Sequence, residues 1–495
     1  MDKKDHRLTV PLAIQSTVTE CGEEFTLPDY YPEVRRVVST LCRVLPESLY
    51  DSGDSLEQGG VVAFTVLYLG DDGSLAAVPL TCDFSAVIQI PSEGRGDCVI
   101  SASTAAETVT CRCVAPRRLS LKARLRTTAA GDRKIGAEPS ITADGGTPTA
   151  AEKISVQTLE KTVPQVRRAT GKITGTVSGE IRDRAGTKPV MCDGEIMVSE
   201  ASLTDSGVTL RGEAVLWCIC FGGDGLYYKT VSRVPFEERV PLEGDELTGG
   251  SARGWGRCAA VSVKDSDDGT LLWDMEYDLE CEAAQNADAT VSADMYSTAR
   301  GGNTVMEGCE TLSMLKCHTG RLSISGSGGR SGNITPGDYA IGSFGKAVCD
   351  RVDRSGSRLT VTGTAEVRVP MCGGGEASEE CVRIPFKYEC DCPADGDGEL
   401  VWRCDAAVTD SSARLEGDRV NVTAELGISL FAGLRTPTAY VKTLELDRTA
   451  GNTDGDNAVR IYYPEEGETA WDITKKYRIP KTAVTEVSTD GVMIE

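Results

Sequence analysis

The sequence has little of what catalysis, nucleic acids and membranes usually call for. Histidine occurs twice, at His6 and His318, so proton transfer near neutral pH would have to rest on carboxylates. No stretch of about 18 apolar residues occurs, which excludes a transmembrane helix. The opening Met-Asp-Lys-Lys-Asp-His-Arg leads into no apolar signal region, and a cytoplasmic chain is expected. Positive charge is outweighed: net charge is −23 and the pI is about 4.7. That argues against nucleic acid and anionic membrane surfaces as natural partners. None of the 19 cysteines forms a Cys-x-x-Cys pair. Three Cys-x-Cys pairs do occur, Cys111/Cys113, Cys218/Cys220 and Cys390/Cys392. Each would share one face of a strand, but zinc knuckles want another spacing and usually histidine. Reduced thiols acting as small apolar fillers are expected, with cross-linking between chains under oxidant as the alternative. No metal and no cofactor is expected.

Motifs of catalysis fail in turn. Gly249-Gly-Ser251-Ala-Arg-Gly254 lacks nucleophile-elbow spacing. Gly345-Lys346 has no phosphate loop around it, and Gly326-Ser-Gly328-Gly-Arg-Ser331 misses the last dinucleotide-binding glycine. Asp265-Ser-Asp267-Asp268-Gly269 reads as a turn. The expectation is a protein without catalytic residues, whose work is binding.

What is present is alternation. Leu359, Val361, Gly363, Ala365, Val367 and Val369 share one parity, and Thr360, Thr362, Thr364, Glu366 and Arg368 the other. This is a strand with one dry face. Gly373-Gly374-Gly375 makes a hairpin turn, and the return strand ends at Ile384-Pro385-Phe386. The same pattern stands at Val208 to Trp217, with a turn at Gly222 to Gly225 and a return to Phe236, and again at Gly60 to Tyr68, Gly73 and Phe84. Each phenylalanine follows its turn glycine by 11 residues, and the phenylalanines succeed one another at 152 and 150. Closing strands at Leu119–Leu125, Leu271–Tyr277 and Val420–Leu426 keep similar distances. Such spacing marks an internal repeat.

The connectors are polar. Residues 127–150 read as a flexible excursion, Ser325 to Gly332 as a loop, and Asp447 to Asn457 as a tether. Leu8 to Ile14 reads as an edge strand, while Arg35 to Val44 fits either a helical turn or a strand. Beyond the tether, Arg460 to Tyr463 is a short strand, Thr469 with Asp472 a helix cap, and Ala470, Trp471, Ile473, Thr474 and Tyr477 one helix face. Val484 falls on a second short helix and Gly491 to Ile494 on a return strand. The expected fold is therefore mainly β: three tandem β-sandwich or barrel-like repeats of about 150 residues, plus a small α+β module. The boundaries run 1–130, 151–288 and 289–447, then a linker at 448–458 and the module at 459–495.

The C-terminal stretch Ile461-Tyr-Tyr463-Pro-Glu-Glu-Gly467-Glu-Thr469-Ala-Trp471-Asp-Ile473-Thr-Lys-Lys-Tyr477 resembles the first half of a LysM module. Its second half is shortened to Gly491-Val-Met-Ile494. The repeats resemble the SPOCS domain of SipL-type spore-coat morphogenetic proteins. The resemblance is carried by Leu27-Pro28-Asp29, Pro32-Glu-Val34, Val66-Leu-Tyr68, Val-Pro-Phe236, Ile-Pro-Phe386, Val156-Gln-Thr-Leu159 and Asp294-Met-Tyr296-Ser-Thr298. It implies a non-catalytic scaffold in spore-coat assembly, on the mother-cell side of the forespore surface. It also implies that the LysM-like end binds a coat morphogenetic ATPase, and that the repeats bind themselves or other coat proteins. Partner contact is expected at or near Gly467, Glu468, Thr469, Trp471, Lys475 and Tyr477, with Ile473 assigned to the module's own core. A self-assembling fibre or shell subunit and a peptidoglycan-binding cell-wall protein are the alternatives.

Overall fold

The computed structural model describes residues 7–12, 15–90, 97–143, 148–182, 187–265, 270–330, 337–392, 396–450, 460–484 and 492–494. The chain is mainly β. A first set of strands comprises β1 (Arg7–Pro11), β2 (Gln15–Thr26), β3 (Val34–Asp51), β4 (Ser55–Gly70), β5 (Leu75–Gln89), β6 (Asp97–Ala115) and β7 (Arg118–Gly136). Strand β8 (Ser140–Ala143) and helix α1 (Ala150–Ile154) lead to a second set: β9 (Val156–Arg182), β10 (Lys188–Thr204), β11 (Gly207–Phe221), β12 (Tyr227–Val240), β13 (Glu243–Gly244), β14 (Ser251–Asp265) and β15 (Thr270–Ser297). The third set is β16 (Arg300–Gly329), β17 (Tyr339–Ala340), β18 (Phe344–Ser355), β19 (Arg358–Gly373), β20 (Glu376–Asp391), β21 (Glu399–Glu416) and β22 (Arg419–Ala450). Last come β23 (Arg460–Tyr462), α2 (Ala470–Tyr477), a 3-10 turn at Lys481–Ala483 and β24 (Val492–Ile494).

Each set builds two antiparallel sheets with the same strand order. In one sheet, β4, β11 and β19 are the central strands, flanked by β3 and β5, β10 and β12, and β18 and β20. In the other, β7 lies between β6 and the β1–β2 edge, β15 between β14 and β9, and β22 between β21 and β16. The dry faces of the two central strands meet. Leu359, Val361, Ala365, Val367 and Val369 pack with Val420, Val422, Ala424 and Leu426. Val208, Leu210, Ala214 and Leu216 pack with Leu271, Trp273, Met275 and Tyr277. Val62, Phe64, Val66 and Tyr68 pack with Leu119, Leu121, Ala123 and Leu125. Alternation therefore identified the buried faces correctly, because one face of each sheet is covered by the other.

One local device appears three times. Gly60, Gly212 and Gly363 on the central strands lie directly opposite Phe84, Phe236 and Phe386. On their other side, the register shifts beside Pro46, Val198 and Cys349, the residues paired with those glycines. A Cβ on any of the three glycines would strike both a carbonyl of the bulged strand (Leu45, Met197 or Val348) and the phenylalanine ring. Missing side chain, ring and bulge thus fit together: the ring covers bare backbone, and the bulge curls the sheet. The turn glycines Gly73, Gly225 and Gly375 all have φ near +80° (80, 81 and 79), which only glycine adopts at little cost.

The three sets touch one another. At the hairpin ends of β4 and β11 both faces are buried, so neighbouring residues of opposite parity are apolar. Leu67, Leu69, Leu75, Trp217, Ile219, Ile341 and Phe344 form one cluster drawn from all three sets. Trp217 stacks on Phe344 with centroids 5.2 Å apart. The Leu75 N–H donates to the Tyr227 hydroxyl (2.9 Å), and the Tyr227 N–H to the Tyr339 hydroxyl (3.1 Å). Among the other sheets a charge knot forms around Glu282, whose side chain is 3 % exposed. Arg253 donates to it at 2.8 Å and Arg403 at 2.6 Å, and Arg168 Nε stands 3.6 Å away. Arg168 also pairs with Asp132 (2.7 Å), Arg253 with Asp405 (3.1 Å), and Arg168 and Arg403 lie over the Phe431 ring. Asp132 belongs to the first set, Arg168, Arg253 and Glu282 to the second, and Arg403, Asp405 and Phe431 to the third. Burial would push the Glu282 carboxyl up; the guanidinium groups of Arg403, Arg253 and Arg168 overrule it and bring it down to about 2.

Several connector expectations need correction. The described part of 127–150, residues 127–143 and 148–150, is not a free excursion; residues 144–147 lie outside the described residues. β7 continues to Gly136, and β8 pairs in parallel with Thr443–Leu446 of β22, latching the first connection onto the third set. Ser325 to Gly329 belong to β16 rather than a loop, their serines and glycines paired with Arg419–Thr423. Arg35 to Val44 is strand. β15 runs unbroken across the 288/289 boundary, and β7 and β22 pass 130 and 447. These strands outrun their own sandwich and pack against neighbours: Ala289 and Val291 meet Leu8, Val10 and Tyr440. Ile14, residues 266–269, 331–336 and 451–459, and Gly491 lie outside the described residues.

Two variants test these constraints. Gly212→Ala is expected to cost roughly 1–3 kcal/mol in a denaturant titration, because the bulge and ring leave no room for a methyl. Glu282→Gln, which leaves buried guanidinium groups short of an anion, is expected to cost roughly 3–5 kcal/mol. Glu282 is held below its unfolded value near 4.5. Its contribution is complete above that pH and disappears as pH falls toward about 2, so the gap between wild type and Glu282→Gln should narrow over that window.

Candidate partner-binding site

The C-terminal module is built from local signals. Gly467 turns the chain with φ +86°. Thr469 caps α2 through a reciprocal pair, its hydroxyl taking the Asp472 N–H (3.3 Å) while Asp472 takes the Thr469 N–H (2.9 Å). Hydrogen bonds from Thr469 hold the Asp472 carboxyl below the usual carboxylate range. Arg478 ends the helix in the left-handed region, at φ 52°, ψ 43°, the conformation of a helix C-terminus. β23 and β24 pair antiparallel through Ile461 and Met493. Ile473 and Val484 are buried together, with Tyr462, Ala470, Tyr477 and Ile479 around them.

The six expected contact residues divide between two places. Glu468 turns inward to the Tyr462 hydroxyl (2.8 Å) and the Glu465 N–H (3.1 Å). That backbone donor, with the tyrosine, holds the Glu468 carboxyl low. Tyr477 packs edge-on against Tyr462, centroids 5.4 Å apart. Glu468 and Tyr477 therefore support the module from within, Gly467 makes its turn and Thr469 its cap. Trp471 and Lys475, one helical turn apart, share a face. Both meet Asp294 at the end of β15. The Trp471 Nε1–H donates to Asp294 Oδ2 (2.8 Å), and Lys475 Nζ lies 2.8 and 2.6 Å from the two carboxylate oxygens.

Sequence reasoning missed the receiving surface. The Tyr296 ring meets Trp471 edge-on at 4.9 Å, and its hydroxyl donates to the Ile479 carbonyl (2.7 Å). The Lys481 N–H donates to Gln157 Oε1 (3.2 Å). Burial raises the Tyr296 phenol above its ordinary value, keeping it a neutral donor. A bulge between Ser292 and Asp294 breaks strict alternation in β15, so the outward aim of Asp294 could not be read from parity. Among the described residues no group of three or more His, Cys, Asp or Glu is arranged to hold a metal, and no helix is long and apolar enough to cross a membrane. Cys218, Cys220, Cys258, Cys281 and Cys392 are buried in the cores, and Cys349 and Cys404 touch, Sγ to Sγ, at 2.7 Å. No family model matches the chain, and neither do curated proteins or solved structures.

The cap supplies a test of the module alone. Thr469→Ala should destabilise α2 by about 1 kcal/mol. Hydrogen exchange of amides 470–477 is expected to quicken several-fold, with the central strands of the body unchanged.

Proposed function

We propose that the chain is a non-catalytic scaffold: three copies of one β-sandwich module of the SPOCS type, with a LysM-like module at the end that meets a partner. The observation that carries this reading is the recurrence of one strand order and one glycine–phenylalanine–bulge device in all three sets. Shared architecture of that detail is what duplication of a binding module leaves behind. The context follows the family resemblance: spore-coat assembly on the mother-cell side of the forespore surface, with a coat morphogenetic ATPase as the partner of the C-terminal module. Trp471 and Lys475 are the residues assigned to that contact, since theirs is the module face not spent on its own core. With purified ATPase, the full chain should bind. Removal of residues 459–495 should abolish binding, and Trp471→Ala should weaken it tenfold or more. Equal binding by the truncated chain would refute the assignment.

Self-association is the second reading, favoured by β6. Among the described residues that strand ladders to β7 alone, with β3 near it but not laddered to it, and between Cys98 and Ala115 it carries two charges, Glu107 and Arg112. A long, weakly charged edge is a template for another strand. Light scattering against concentration should show assemblies, and Ala105→Lys should reduce them.

A further inference from the structure

Both sequence stretches that open and close the second set, Val156–Leu159 and Asp294–Thr298, end up against the C-terminal module. They are adjacent in β9 and β15, Asp294 paired with Leu159 and Tyr296 with Gln157. The bulge at Ala293 re-aims the strand end, as bulges beside binding sites commonly do. The Met295 N–H donates to Asp294 Oδ1 (2.9 Å) and fixes the carboxylate. Asp294 and Tyr296, two residues apart, then point the same way. The carboxylate answers Trp471 Nε1 and Lys475 Nζ; the ring answers the Trp471 edge, and the phenol the Ile479 carbonyl. On the module side, the buried apolar pair Ile473 and Val484 pack with the module's own side chains, and what faces Tyr296 is polar: the Thr474 side chain and the Ile479 carbonyl. The contact is therefore one of recognition between two separately built surfaces. It is polar and partly open to water, with Lys475 at 42 % and Asp294 at 23 % side-chain exposure, so a competitor of the same chemistry can replace it.

We propose that the Trp471–Lys475 face of α2 is a receptor for an extended segment bearing a carboxylate and, two residues on, a tyrosine, and that the chain keeps this receptor occupied with its own Asp294 and Tyr296. The inference rests on the reading of this module as the partner-binding end and specifies its ligand. A partner must present an Asp-x-Tyr strand, or its equivalent, and displace the internal one. Because the internal copy is tethered, its high effective concentration sets the threshold a partner must pass.

The test uses the full chain as wild type, Asp294→Ala and Asp294→Asn, with a synthetic peptide of residues 288–299 and a control peptide carrying D294A and Y296A. In Asp294→Ala, hydrogen exchange of amides 470–477 is expected to rise tenfold or more while β9 and β15 upstream of the bulge stay protected, which shows the body still folded. Asp294→Asn, which keeps an acceptor for Trp471 but loses the counter-charge for Lys475, should fall between. The peptide should bind Asp294→Ala at least tenfold more tightly than wild type and slow the exchange of α2 again; the control peptide should do neither. Unchanged exchange in Asp294→Ala would overturn the internal occupancy. Equal binding of the two peptides, or no binding to the opened variant at millimolar peptide, would overturn the ligand assignment. Neither readout involves the ATPase, so failure of this inference and failure of the proposed function are separate results.

Discussion

Glu282 is the anion on which the body of the protein turns. Three guanidinium groups surround it, from β9, β14 and β21, and Asp132 and Asp405 continue the charge pattern into the first and third strand sets. Alone, a buried carboxylate or a buried arginine would be costly. Together their attraction offsets desolvation only in one geometry, and that geometry specifies how the sheets meet. Apolar burial holds each sandwich together but is tolerant of sliding; the knot and the Trp217–Phe344 stack between the second and third sets are not. Lys134 bonded to Asp245 (2.5 Å) and Arg43 to Asp193 (2.6 Å) extend the same logic along the first-to-second boundary.

Within each set the constraint is steric. A central strand that packs on one sheet below and curls at its middle needs a residue with no side chain where the bulge brings a carbonyl close. Gly60, Gly212 and Gly363 supply it, and a phenylalanine opposite restores the apolar cover that glycine lacks. Near the β4–β5 and β11–β12 turns, Leu69 and Trp217 meet Phe344, at the start of β18, between sets.

Much of this was legible beforehand, and the rest was hidden for identifiable reasons. Period-two alternation exposed the inner faces of β4, β7, β11, β15, β19 and β22, because each of those faces has one dry side over its sandwich. Alternation says nothing where both faces are dry, so the burial of Trp217 and Ile219 could not be read from parity. Serine and glycine at Ser325–Gly329 looked like a loop; they sit in a strand because small residues let Ile384 and Val382 of the facing sheet approach, as the closeness of those side chains to Gly326 and Gly328 records. Glu282 could not be singled out among 75 acidic residues, since its importance lies in arginines on three other strands, two of them, Arg168 and Arg403, more than 100 positions away. The helix cap at Thr469 and the Ile473 core were readable from spacing of three and four. Asp294 was not, because the bulge before it changes which residues point outward.

A body fixed by such a knot should behave as one unit although it is built in three sets. Native-state hydrogen exchange across a denaturant series measures this most directly, by following amides in β4, β11 and β19 together. The account predicts that the three central strands open at one common free energy and with one common denaturant slope. Three distinct opening energies, each with about a third of the slope, would contradict it and leave three beads on a string.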